Sequence, residues 1–365
     1  MLLIYYIVLF LLITGFFLDL FDYSKKDIFY KFNFILLFIF ASCRYEIGAD
    51  YVQYEDFFQK AKELSSIDFN YFLDNFHDIE YGYLLLESLI KQFTTEYQIM
   101  VLIMNIIMFS FLYKGIERYP NKNIQLFIFY CFIYLHYITN AYRQGLAMCI
   151  LYYSLKYIEE KNFLKYLFFC ILAGLFHKIS FLMIIVYFFS NIKFSKKLYI
   201  ILSCISILSA YFFLTGNLVK FLNSNFNSLQ FVRRVYYYYF VKSNGNFNNV
   251  SFLGYCQRII LIAVVIFFKK KMPDYINNLL ILCPIIFFTF SNVGVLAGRI
   301  SGVFLIYYMC YFAYLLKNEK KSIKILLSSY VLLYGILMFN RELFEIHPIK
   351  KNYNYIPYKC FLEEK

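Results

Sequence analysis

Charge is scarce in this chain: Asp, Glu, Lys and Arg make up 16% of its 365 residues, against about 25% in an ordinary soluble domain. So little polar surface cannot cover a water-soluble fold. The 61% hydrophobic content equally excludes intrinsic disorder. Tryptophan is absent, beside abundant Phe, Tyr, Ile, Asn and Lys, as an AT-rich coding sequence would give. The nine cysteines include no Cys-x-x-Cys pair and no metal-ligand spacing, which argues against a disulfide scaffold. Six of them (Cys131, Cys149, Cys170, Cys204, Cys283 and Cys310) sit in apolar runs as small hydrophobes. There is no Gly-rich phosphate loop, no His-Glu-x-x-His and no serine nucleophile elbow. No nucleic-acid fold signature accompanies the net charge of +13. No internal repeat is visible, nor any soluble segment large enough to fold alone. No cofactor and no metal are expected.

What the chain has is long apolar runs. A spanning helix needs roughly 17–25 mainly apolar residues. Twelve candidates emerge: 2–20, 28–43, 97–113, 124–141, 144–158, 163–176, 179–192, 198–214, 256–268, 276–292, 299–316 and 323–339. The first lacks a basic n-region and a small-residue cleavage site, and Asp19 and Asp22 follow it, so it is expected as a retained helix. The fold class is therefore all-α: a single polytopic membrane domain over 1–365 with about twelve transmembrane helices.

Orientation follows from lysine and arginine in short loops. Six alternate connections carry nineteen of these residues, three or four in each. The short loops of the other set carry only Arg143, Lys178 and Arg299. The basic set is the cytoplasmic collar, and both termini are expected on the outer side. The expected location is a membrane, and the collar's partner is membrane lipid rather than nucleic acid.

Three segments lie on the expected outer face. Residues 44–96 hold eleven acids and four Lys/Arg, and 80–93 has the pattern of an amphipathic or re-entrant helix. Residues 215–255 carry Arg233, Arg234 and a run of four tyrosines, Tyr236 to Tyr239. This run is either an ordinary interfacial anchor or an aromatic platform for sugar rings beside an anion grip. The third segment is the tail, 340–365, with Tyr355-Ile356-Pro357-Tyr358.

Ionisable residues at outer helix ends are candidates for function. Arg44, Arg143, His177 and Arg299 all fall on that face, with Asp50, Tyr54 and Glu80 in the first outer loop. Taken singly, each has a plain structural explanation as a snorkelling, capping or solvated residue. Together, several arginines at headgroup level suit a phosphate or diphosphate, which guanidinium grips with paired hydrogen bonds. A histidine or carboxylate beside them can deprotonate a hydroxyl. The combination points to glycosyl transfer from a lipid diphosphate.

The string Arg44-x-x-x-Gly48-x-Asp50-Tyr51-x-x-Tyr54-x-x-Phe57 resembles the first motif of the EpsG-type, Wzy-like polysaccharide polymerases. Glu80-Tyr81-Gly82-Tyr83, Tyr142-Arg143-Gln144-Gly145-Leu146-Ala147 and Ala173-Gly174-Leu175-Phe176-His177-Lys178-x-Ser180 follow in the family's order. So do Gly298-Arg299-Ile300 and the terminal Tyr-Ile-Pro-Tyr. Gly145 stands where the family often has a larger aliphatic residue, which implies close local packing. The resemblance implies a polymerase that joins polyprenyl-diphosphate-linked oligosaccharide repeat units. The growing glycan passes to a hydroxyl of the next unit, undecaprenyl diphosphate leaves, and no nucleotide is needed. A chain-length regulator and a flippase are the implied protein partners, in capsule, exopolysaccharide or O-antigen synthesis.

In this scheme Arg143, Arg299 and Arg44 hold the donor diphosphate, with Arg233, Arg234, Glu80 and Tyr54 as further substrate contacts. His177 is the expected general base, with Asp50 its rival or its orienting partner. Two other classes stay open on the residues alone. One is a glycosyltransferase using a polyprenyl-phosphate sugar, which the acidic loop suits. The other is a flippase for the lipid-linked unit.

Overall fold

A computed structural model describes residues 2–67, 71, 79–241, 252–292, 294–346 and 352–363. Among them 80% are helical and no strand occurs. The first eight helices are α1 Leu3–Leu20, α2 Lys26–Ser42, α3 Tyr51–Lys60, α4 Tyr81–Lys91, α5 Tyr97–Ile116, α6 Lys122–Phe129, α7 Tyr142–Glu159 and α8 Phe163–Gly174. Then come α9 Leu182–Ser190, α10 Lys196–Tyr211, α11 Leu214–Phe226, α12 Gln230–Tyr236 and α13 Phe252–Phe268. The last four are α14 Asp274–Phe290, α15 Gly294–Gly302, α16 Tyr307–Asn318 and α17 Lys321–Leu343. Each of the twelve apolar segments coincides with helix.

Five helical stretches among the described residues are long and apolar enough to cross a bilayer: Leu3–Leu20, Tyr97–Ile116, Phe252–Lys271, Ala297–Asn318 and Lys321–Leu343. The pair α10 and α11, bent by 68° at a short break, makes a sixth if it is one span. Large apolar side chains such as Phe10, Leu164, Phe267 and Leu326 point outward at 68–74% exposure. In water that surface would be costly, whereas lipid accepts it. The protein is a helical, multi-pass membrane protein.

The chain forms two compact units, one of 1–187 with 308–365 and one of 188–307. In the first, α1 packs against α2 and α6, and α7 against α5 and α8. Asp19, buried at the end of α1, accepts from the backbone amides of Asn123 (2.7 Å) and Ile124 (3.1 Å). Its charge thus satisfies the orphan amides and positive dipole end of α6. Beyond Phe129 the same helix widens into a π-helix over Tyr130–Asn140. α7 then restarts against it. A Cβ on Gly145 would sit 2.0 Å from the carbonyl oxygen of Tyr137. The glycine that departs from the family's usual residue therefore marks a backbone-to-backbone approach that no side chain permits.

Within the second unit, the buried Asn278 of α14 ties down the end of α9. Its Nδ2 donates to the carbonyls of Phe189, Ser190 and Ile192 at 3.0, 2.7 and 2.9 Å. Arg258, inside the apolar helix α13, is buried with its guanidinium 4.3 Å from the centre of the Phe287 ring.

Candidate functional site

The site assembles in the first unit, from the loop before α4, the start of α7 and the turn after α8. Gly82 brings the first and last of these together: its amide donates to the carbonyl of Leu175 at 2.9 Å. A Cβ there would lie 2.7 Å from Cβ of Leu175 and 2.8 Å from its carbonyl oxygen. Only glycine allows the two segments to approach so closely, and this sets Glu80 beside His177.

Glu80 is the hub. One carboxylate oxygen pairs with the Arg143 guanidinium. The other lies 3.4 Å from Nδ1 of His177 and accepts the backbone amide of Lys178 at 3.3 Å. Burial opposes ionisation of Glu80, but the His177 bond and the Arg143 charge outweigh it and hold the carboxyl below its ordinary value. Nε2 of His177 is buried and meets no hydrogen-bond partner among the described residues. A carboxylate against one imidazole nitrogen and a vacant second nitrogen is the arrangement that fixes a histidine's orientation for proton transfer.

Arg143 is held by aromatic rings as well. Its Nε donates to the Tyr54 hydroxyl at 3.3 Å, and its guanidinium lies 5.4 and 5.6 Å from the ring centres of Tyr54 and Tyr83. Burial pushes the Tyr54 phenol above its ordinary value, with Arg143 opposing the shift. Behind this layer the hydroxyls of Tyr83 and Tyr97 both meet that of Tyr142, the second at 3.0 Å. The α3 helix supplies Tyr54 because Tyr51, Tyr54 and Phe58 fall on one buried face at helical spacing.

Four of the residues singled out in the sequence, Tyr54, Glu80, Arg143 and His177, thus lie in one contact network. Arg44 stands one layer behind. It is 1% exposed, donates from Nη1 to the Ala41 carbonyl at 3.1 Å and faces the Tyr142 ring at 5.6 Å. The carboxylate facing His177 is that of Glu80. Asp50 instead engages the π-helix, its amide donating to Oδ1 of Asn140 at 2.9 Å. Arg299 and Arg233 are exposed on α15 and α12 of the second unit, and the Arg234 side chain lies outside the described residues. The tyrosine run is helical, with Tyr236 half-buried against Phe240. The side chains of Tyr238 and Tyr239 lie outside the described residues.

Two buried groups escaped sequence reasoning. Glu87 on α4 is fully buried beside this network. Burial raises its carboxyl to about 8 against the pull of Tyr83 and Arg143. Its place on the inner face of an amphipathic helix was the available signal. Arg258 carried a plainer one, an arginine inside an apolar run.

A family model, that of the EpsG family, matches residues 27–360. No curated protein and no solved structure gives a significant match.

Proposed function

The chain belongs to the EpsG family, which has a polysaccharide-polymerase-like role in exopolysaccharide biosynthesis, and from that premise we propose that it polymerises oligosaccharide repeat units. The growing glycan passes from its polyprenyl diphosphate to a hydroxyl of the next lipid-linked unit. The observation that carries this reading is the Arg143–Glu80–His177 array with its unpartnered Nε2.

Nε2 of His177 takes the proton of the acceptor hydroxyl as the oxygen attacks the anomeric carbon of the donor sugar. The bond from that carbon to the phosphate oxygen breaks, and the diphosphate leaves with the electron pair. Glu80 keeps the other imidazole nitrogen protonated and stabilises the imidazolium that forms. Arg143, propped between Tyr54 and Tyr83, meets the charge growing on the leaving diphosphate. Arg44 acts from behind by fixing Tyr142 and adding positive field. Arg299, Arg233 and Arg234 are further candidates for contact with anionic groups of the substrate. Asp50 stays the rival base.

The same proposal includes twelve crossings of a bacterial cell membrane with both termini outside. Twelve helical apolar segments and the alternation of basic loops support it. The partners are the lipid-linked oligosaccharide, a chain-length regulator and a flippase.

The test is glycan analysis of a deletion strain complemented with His177→Ala or Arg143→Ala protein. The expected result is collapse of the polymer ladder to a single lipid-linked repeat unit in the outer leaflet. Wild-type polymer length in both strains, at normal protein levels, overturns the assignment. Accumulation in the inner leaflet identifies a flippase instead.

A further inference from the structure

His136 and Glu342, separated by 206 positions, meet where the π-helix passes the end of α17. Nδ1 of His136 lies 2.9 Å from Oε1 of Glu342. Glu345, three residues on, adds a second carboxylate. One ligand atom from each of the three residues lies within 4.8 Å of the other two. None of these groups takes part in the chemistry above. We infer that His136, Glu342 and Glu345 form a binding site for one divalent first-row transition-metal ion.

The spacing fits such an ion. With bonds of about 2.1 Å, neighbouring ligands of an octahedron stand roughly 3 Å apart, and the His136–Glu342 pair already has that separation. The exposed Glu345 supplies the third ligand atom, within 4.8 Å of the other two. A histidine needs one carboxylate for an ion pair. A second carboxylate at the same point is repelled by the first, and a dication removes that cost.

The surroundings also suit a metal. The Tyr355 hydroxyl donates to Oε1 of Glu342 at 3.0 Å, and Nδ2 of Asn354 donates to Oε2 of Glu345 at 3.1 Å. Outer-shell donors of this kind orient carboxylate ligands. The His136 side chain is 42% exposed, so the three groups are not sealed within the helix packing. It projects from a π-helical stretch, a distortion often found at functional positions. One imidazole with two carboxylates favours manganese, iron or zinc over magnesium or calcium, which take oxygen ligands throughout. The ion would clamp the outer end of the π-helix to α17 and, through Tyr355 and Asn354, to the C-terminal segment.

The test uses full-length protein in detergent micelles, stripped with EDTA, dialysed and titrated with MnCl2. Loss of the free Mn2+ signal in electron paramagnetic resonance measures binding. The expected result is one saturable ion per chain that excess Mg2+ does not displace. His136→Ala and Glu345→Gln each weaken binding by at least about 10-fold, the loss that even an outer-shell change typically brings. The exposed Glu345→Gln change keeps the far-ultraviolet circular dichroism of the wild type, which separates lost binding from lost folding. Absence of saturable binding, equal displacement by Mg2+, or wild-type binding by both variants overturns the inference. Metal is the only ligand used, so the outcome is independent of the polymerase assignment.

Discussion

The amide of Gly82 donates to the carbonyl of Leu175 at 2.9 Å, and this contact between two loops seats the Glu80 carboxylate against His177. The machinery proposed for glycosyl transfer therefore depends on a residue with no side chain. Adding volume at Gly82 tests the dependence. Gly82→Val forces the loops apart at an overpacking cost of about 1–3 kcal/mol. Misplacing a catalytic group by about 1 Å costs on the order of 100-fold in rate. The expected phenotype is a protein present in the membrane at near-normal level with polymer synthesis nearly lost. Immunoblotting of membranes beside the glycan ladder checks it, and a normal ladder refutes it.

Glu80→Gln keeps the shape of the hub and removes its charge. Loss of an orienting carboxylate beside a general base should lower the polymerisation rate by roughly 10²- to 10⁴-fold. Stability gives a second readout. The carboxyl of Glu80 is held below its ordinary value of 4.5, so it stabilises the fold above that pH and loses this contribution as pH falls through the lowered value. Acid unfolding of the wild type should include a component that Glu80→Gln lacks, measured as melting temperature against pH below about 5.

Glu87 has the opposite sign. Its carboxyl is raised from 4.5 to about 8, so the folded state holds a proton that the unfolded chain releases. The stabilisation is fully present below pH 4.5 and fades as pH rises through about 8. Glu87→Gln, a neutral mimic of the protonated acid, should flatten that decline. Thermal melts from pH 5 to 9 compare the two. Parallel curves would mean that Glu87 is ionised at neutral pH.

Gly145→Ala should be disproportionately damaging for one methyl group. The added carbon would meet the Tyr137 carbonyl oxygen at 2.0 Å, between two stretches of backbone. The expected loss is about 3 kcal/mol or somewhat more, read from urea or thermal denaturation in detergent. Substitution by a larger aliphatic residue should abolish accumulation of the protein.

Much of the fold is legible in the order of residues, because apolar runs in lipid have few alternatives to helix. All twelve runs are helical. Their lengths mislead more: α8 has 12 residues and α9 has 9. Hydropathy also cannot see the π-helix, which arises where the helix is packed against its neighbours. Arg143 and His177 stand out because each interrupts or flanks an apolar stretch, and Tyr54 because it belongs to the Arg44–Phe57 motif. Their partnership through Glu80 is not legible, since it depends on one close loop contact. Asp50, expected as rival or orienting partner of His177, and Glu80, expected as a substrate contact, are acids of one loop, and only packing sets Glu80 against the histidine. Glu342 escapes for a related reason, since nothing local ties it to His136.

Residues 354–361 hold the start of the loop that follows α2. Tyr45 donates its amide to the Lys359 carbonyl at 3.0 Å, Gly48 to that of Asn354 at 2.9 Å, and Phe361 to that of Cys43 at 3.1 Å. The Tyr5 hydroxyl donates to the Tyr355 carbonyl at 2.6 Å, and the Tyr358 hydroxyl to that of Phe40 at 3.0 Å. The backbone around Arg44 therefore acquires its partners only when the ribosome has made residues more than three hundred positions later. Membrane insertion of the early helices must precede completion of the surface beside the proposed catalytic array. During synthesis the nascent protein stays unfinished at that surface until residues 354–361 arrive.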